Sequence, residues 1–224
     1  MRVLVVGASG AIGAEIAQEL MADGHLVIPH CRRGRRSFTS LQWYQTDLHI
    51  EKYIQDMVQS QEPEILVNCA GVSYNARVQK LKIEDWEDTM DINLRAPFLL
   101  TKHALPAMVK AGYGRIIHLS SMASHLPLYG ASAYAASKGG LEAFVRTVAV
   151  EIGAAKNVTI NCVAPGPLDV GMGAELEGRN LESFLNRIPS KKLGSVTDVV
   201  SAVRYLIDAP YVTGQSIHVD GGMW

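Results

Sequence analysis

The sequence predicts an α/β fold: a doubly wound parallel sheet of about seven strands, with helices on both faces, folded as a single domain. Three observations carry this. Short apolar, β-branched runs alternate with longer helical patterns along the chain, as in a parallel sheet covered by helices. The 224 residues are 48% hydrophobic and 19% charged, which supplies a core and excludes intrinsic disorder. The first apolar run ends in a glycine cluster that opens a helical pattern.

Taken in order, Arg2–Val6 is a buried strand, stopped by Gly7. Gly7, Gly10 and Gly13 break the apolar start too soon for a signal peptide. Ala11–Ala22 has helical periodicity, and His25–His30 and Gln42–Tyr44 give the next two strands. A helix follows over Ile50–Ser60 and a strand over Ile65–Asn68. Ile83–Ala111 is helical with a break near Pro97, which has no N–H to continue a helix. Strands at Arg115–Leu119, Thr159–Val163 and Ser216–Val219 alternate with helices at Ala133–Ala154 and Val196–Asp208. Two stretches leave this rhythm: Cys31–Ser40, with Arg32, Arg33, Arg35 and Arg36 around a glycine, and Pro165–Ser190, expected to be a lid over a substrate.

Composition excludes several classes of function. Lys plus Arg number 21 against 22 Asp plus Glu, so no global basic field recruits nucleic acid or anionic lipid. Cys31, Cys69 and Cys162 form no CxxC pair, which argues against a disulfide framework or a metal site and fits a reducing cytoplasm. No run of about 18 apolar residues offers a membrane span.

The glycine loop is the first chemical signal. Gly7, Ser9, Gly10, Ala11, Ile12 and Gly13 lie between a strand and a helix, where glycines let a pyrophosphate approach the backbone and the helix N-terminus supplies N–H donors. A Rossmann-type dinucleotide fold reads the ribose at the next strand end, with an acid for NAD or a cation for a 2′-phosphate. Here stand Arg32 and Arg33 and no carboxylate, which favours NADP. Arg32 is the residue expected to meet the 2′-phosphate; Arg35 and Arg36 read equally well as a solvated basic loop.

Tyr134 and Lys138 are the second signal. Four residues apart on a predicted helix, they share a face, and a cation beside a phenol lowers its pKa and suits it to carbonyl chemistry. Ser120-Ser121, Asn68-Cys69-Ala70-Gly71 and Pro165-Gly166 follow other strands, so polar and glycine residues collect where ligands of open α/β sheets bind.

With these motifs together the chain resembles the short-chain dehydrogenase/reductase family from the glycine loop to Val219-Asp220-Gly221-Gly222, most closely its 3-oxoacyl-[acyl-carrier-protein] reductases, which share a tail like Gly221-Gly222-Met223. The resemblance implies Tyr134 as general acid, Lys138 as ribose anchor and pKa modifier, Ser121 as donor to the substrate oxygen and Asn93 as holder of a relay water. It implies cofactor contacts at Asp47, Leu48, Asn68, Ala70, Gly71, Pro165, Gly166 and Leu168 besides the glycine loop, and a structural role for Ser120. It further implies a homotetramer, with apolar surfaces around Phe98–Val109 and Leu141–Val150. Val6, Ala11, Cys69 and Val170 depart from the family pattern, and Cys69 and Val170 lose hydrogen-bonding groups near the cofactor.

The resulting expectation is an NADPH-dependent reductase of a ketone or acyl thioester, binding neither nucleic acid nor membrane. The alternatives are an alcohol dehydrogenase of the same family working oxidatively and a non-catalytic NADP sensor, which has no need of the complete Asn93, Ser121, Tyr134 and Lys138 set. Gly7-Ala8-Ser9-Gly10 nearly matches a hydrolase nucleophile elbow, but its final glycine is Ala11. Met122, His125, Leu126, Pro127, Leu128 and Tyr129 are expected to shape the substrate site, His125 chiefly as a loop residue. An acyl carrier protein is expected to bind weakly, because arginines of related reductases are replaced by Gly112 and Ala155, leaving Lys110 and Lys156 nearby.

Overall fold

The structure, a computed structural model, describes residues 1–34, 43–153, 157–170, 182 and 185–224. Seven parallel strands, β1 (Arg2–Val6), β2 (Leu26–Cys31), β3 (Tyr44–Gln45), β4 (Ile65–Asn68), β5 (Gly114–Leu119), β6 (Val158–Pro165) and β7 (Ser216–Val219), form one sheet in the order β3-β2-β1-β4-β5-β6-β7. The chain winds outward from β1 to β3, then returns to place β4 beside β1 and winds the other way. That reversal opens a crevice at the C-terminal ends of β1 and β4.

Strand periodicity divides the core between two helical layers. Val3 and Val5 face α1 (Ala11–Ala22) and α6 (Val196–Asp208), meeting Ile16, Leu20, Val199 and Val203. Leu4 and Val6 point the other way, into the layer of α2 (Glu51–Gln61), α4 (Ala96–Ala111) and α5 (Ser132–Ile152), where Ile54, Leu99, Leu100 and Leu141 bury their side chains. An unbroken apolar strand is what a sheet buried on both faces requires.

Most predicted elements are present with ends moved by a residue or two. His25 belongs to the turn after α1, its N–H donating to the Leu20 carbonyl at 3.1 Å, so β2 starts at Leu26. β6 runs on to Pro165, where Gly166 N–H donates to the Val219 carbonyl at 2.9 Å. The break expected near Pro97 lies upstream: α3 (Ile83–Met90) passes through a π-helical turn, Asp91–Arg95, into α4, with Pro97 in α4's first turn. Gln42 of the third predicted strand, Ala154 of the fourth predicted helix, Arg35, Arg36, Ala155, Lys156 and most of the expected lid lie outside the described residues. No helix among the described residues is long and apolar enough to cross a membrane.

Candidate active site

The glycine loop is held by its own backbone and by one histidine. Gly7, at φ +78°, passes so close to the turn after β4 that an added Cβ would lie 2.7 Å from Ala70 N, and a Cβ at Gly13 would lie 2.5 Å from the Gly7 carbonyl oxygen. Neither position has room for a side chain. Gly7 N–H donates to His30 Nδ1 at 3.3 Å and Ala8 N–H to the His30 carbonyl at 2.9 Å, while His30 Nε2 lies 3.2 Å from the Thr46 carbonyl. Burial pushes His30 down to about 4, so the ring is neutral, accepting at Nδ1 and donating from Nε2. α1 starts at Gly10 with no side-chain cap and no acid in its first turn, leaving N–H donors aimed into the crevice. This cradle fits a pyrophosphate.

At the β2–β3 edge, Arg32 and Arg33 are exposed, as the strand-end reading expects. Around Arg32 the structure adds a network. His49 Nδ1 lies 2.7 Å from Asp47 Oδ1 and its Nε2 2.7 Å from Asp88 Oδ1, while Tyr74 OH donates to Asp88 Oδ2 at 2.7 Å. Burial opposes charge on His49, but the two carboxylates outweigh it and raise its pKa. Burial likewise works to raise Asp47 and Asp88, yet hydrogen bonds to both and the nearby His49 and Arg32 charges hold them below the ordinary carboxylate value. Arg32 therefore stands near two acids distant in sequence. Leu48 is buried in the core and has only its backbone to offer a ligand, and Asn68 Oδ1 accepts from Ala70 N–H at 3.2 Å to shape the turn after β4.

The turn after β5 and the N-terminal half of α5 bring the remaining candidates together. Ser121 caps a 3₁₀ turn, Met122–Ser124, with its Oγ accepting from Ala123 N–H at 3.2 Å, and its hydroxyl stands beside the Tyr134 phenol. Burial raises the Tyr134 pKa, the Ser121 hydroxyl opposes it, and the phenol stays protonated at neutral pH. Lys138 is 3% exposed, donates to the Leu119 carbonyl at 2.6 Å and has its Nζ 5.7 Å from the Tyr134 ring centroid. Burial lowers Lys138 to about 8, against the nearby Cys162, Cys69 and Glu142. The direction at Tyr134 is thus set by burial, where the sequence pointed to the ammonium.

Asn93 sits in the π turn, its Oδ1 accepting from Val72 N–H at 2.9 Å and its Nδ2 donating to the Val72 carbonyl at 2.8 Å and Ser137 Oγ at 3.1 Å. The amide clamps the β4 loop to α5. Gly71 lies beside both groups: a Cβ there would stand 3.4 Å from Asn93 Oδ1 and 3.6 Å from Lys138 Nζ.

A cleft of ≈ 570 Å³ joins the two halves of the site, lined by Ala11, Ile12, Cys69, Ala70, Gly71, Ser121, Tyr134, Lys138, Pro165, Gly166, Leu168 and Val170. Of the expected substrate-shaping residues, Met122, Leu128 and Tyr129 line it, and His125, Leu126 and Pro127 do not. His125 instead contacts Glu142, its Nε2 2.6 Å from Oε2. Glu142 was not singled out in the sequence, although it extends the Tyr134, Lys138 spacing by four residues. Burial pushes the Cys69 thiol up to about 12, so it lines the cleft as a neutral group.

A doubly wound sheet with a glycine loop at its switch point and a serine, tyrosine and lysine at one cleft defines a nicotinamide-dependent oxidoreductase. The comparisons agree. The family model described as enoyl-(acyl carrier protein) reductase matches residues 7–224. Nodulation protein G of Rhizobium sp. (strain N33) is 35% identical over 99% of this chain and 96% of its own, and 3-oxoacyl-[acyl-carrier-protein] reductase FabG of Escherichia coli (strain K12) is 33% identical over the same shares. Among solved structures, a variant of the actinorhodin polyketide ketoreductase with NADPH superposes with a TM-score of 0.91 at 27% identity, over 99% of this chain and 96% of that one. The ligand-free aldohexose dehydrogenase of Thermoplasma acidophilum, at 24% identity and TM-score 0.90 over 99% and 93%, shares the fold. The chain belongs to the short-chain dehydrogenase/reductase family.

Proposed function

We propose that this protein reduces a carbonyl with NADPH and that its substrate is a β-ketoacyl thioester or a similar small ketone. The observation that carries the reading is the meeting, in one cleft, of the Tyr134 phenol, the Ser121 hydroxyl and the buried Lys138 ammonium, its Nζ 5.7 Å from the phenol ring centroid. When bound, the reduced nicotinamide supplies hydride to the carbonyl carbon. Tyr134 gives its proton to the carbonyl oxygen as charge develops there, and Ser121 donates a hydrogen bond to the same oxygen. Lys138 stabilises the phenolate left behind and holds the ribose. In this reading Asn93, in the π turn beside the cleft, holds the water that returns a proton through Lys138 to Tyr134.

Arg32 and the lack of an acid at the end of β2 support NADPH, as does the cofactor named with the actinorhodin ketoreductase. Asp47 and Asp88 temper the Arg32 charge, so the preference over NADH is moderate. A homotetramer is supported by the exposed Phe98, Val109 and Val150 on α4 and α5. Gly112, where related reductases carry an arginine, supports action on carrier-free thioesters with weak, salt-sensitive carrier binding. The test is oxidation of NADPH and NADH against a panel of β-ketoacyl thioesters and small ketones, with wild type and Arg32→Asp. The expected result is turnover that favours NADPH by about tenfold, with the preference lost in Arg32→Asp. No turnover with any ketone, or an unchanged cofactor ratio in the variant, contradicts the reading.

A further inference from the structure

The buried stripe of α5 holds a second charge besides Lys138. Glu142 is 1% exposed and follows Tyr134 and Lys138 at the same four-residue spacing, so all three lie along one side of the helix. Its Oε1 accepts from Ser120 Oγ at 2.6 Å and from Ser124 Oγ at 2.7 Å, and its Oε2 lies 2.6 Å from His125 Nε2. These three partners bracket Ser121. They flank or belong to one short 3₁₀ segment, Met122–Ser124, in which Ser124 N–H donates to the Ser121 carbonyl at 3.0 Å and Ser124 Oγ lies 2.6 Å from the same oxygen.

We propose that Glu142 is a positioning residue: its carboxylate ties the Ser120–His125 turn to α5 and thereby fixes the Ser121 hydroxyl against the Tyr134 phenol. A carboxylate suits the place, because it accepts at both oxygens and three side chains converge on it. Burial works against its charge, but the bonds from Ser120, Ser124 and His125 outweigh it and keep the group ionised. Lys138, one turn back, adds a favourable charge. On the outer side the His125 ring lies 4.6 Å from the Trp224 ring and 5.1 Å from the His218 ring, so the C-terminal segment backs the contact. The arrangement joins the element that carries Ser121 to the element that carries Tyr134 and Lys138. Catalytic geometry is sensitive to such joints, since a displacement of about 1 Å costs up to about a hundredfold in rate.

The inference rests on the proposed carbonyl reduction, and its test keeps the two apart. Glu142→Leu, Glu142→Gln and Ser124→Ala are compared with wild type and Tyr134→Phe for kcat and KM on the ketone that wild type reduces fastest, for reduced-cofactor affinity by fluorescence titration, and for thermal unfolding. Glu142→Leu is expected to lower kcat about 10- to 100-fold with cofactor affinity within about threefold. Glu142→Gln, which keeps an acceptor for the serines, is expected to recover most of the loss, and Ser124→Ala to lower kcat about two- to fivefold. Wild-type kcat in folded Glu142→Leu, or a parallel fall in kcat, cofactor affinity and melting temperature in both Glu142 variants, overturns the proposal. If Glu142→Leu does not fold, an unchanged kcat in Ser124→Ala overturns it. Near wild-type turnover in Tyr134→Phe overturns the underlying function, and the positioning role with it.

Discussion

Two polar networks flank the cleft and solve the same problem in different surroundings. Beside β2 and β3, partly exposed His49 bridges Asp47 and Asp88, with Arg32 nearby. Beneath the turn after β5, buried Glu142 bridges Ser120, Ser124 and His125. The first lies in a high-dielectric setting, where salt and water compete with every charge. The second is screened little, so each unmet partner carries a full desolvation cost. A ligand can therefore remodel the first network, whereas the second holds one geometry.

The histidines sharpen this comparison through the sign of their pH dependence. Burial lowers His30 to about 4 and His118 to about 3, so the unfolded chain binds protons that the folded one refuses below pH 6.5. Stability contributed by both is expected to be full above 6.5 and lost as pH falls toward 4 and 3, with His30 alone accounting for about 3 kcal/mol. Urea unfolding at several pH values measures it, and His30→Gln should flatten the acid limb. A wild-type acid limb that His30→Gln leaves unchanged would contradict the assignment.

Next in size is Gly13→Ala, because the added Cβ meets the Gly7 carbonyl oxygen at 2.5 Å and the Gly7 carbonyl carbon at 3.0 Å, backbone that cannot swing aside. Roughly 1–3 kcal/mol of destabilisation is expected, with a matching loss of cofactor affinity. Thermal unfolding and cofactor titration that both match wild type would show that the loop is not tightly packed.

The smallest effect belongs to His49, whose raised pKa gives the opposite sign: its stabilisation is present below pH 6.5 and fades as pH rises through the folded value. His49→Gln should cost under about 1 kcal/mol at pH 6 and less in high salt. A larger, salt-insensitive loss would place this network in the same class as that of Glu142.

Much of the architecture could be read from local pattern. Val3 to Val6 are apolar at every position because β1 is covered on both faces, and Tyr134 and Lys138 meet because four residues make about one helical turn. Long-range pairing was not legible: His49 and Asp88 are 39 residues apart, and nothing local marks them as partners. Nothing in the local pattern sets Glu142 apart from an exposed helical acid; its 1% exposure beside Ser120, Ser124 and His125 does. Pro97 signalled a break but not its position, since the irregularity is the π turn Asp91–Arg95 just upstream of it.

The central claim is that Tyr134 delivers the proton in carbonyl reduction, and single-turnover oxidation of bound NADPH by Tyr134→Phe tests it most directly. The expected result is a hydride-transfer rate lower by about 10²- to 10⁴-fold, with NADPH affinity and melting temperature close to wild type. A rate near that of wild type, with the fold and cofactor affinity intact, would contradict the account.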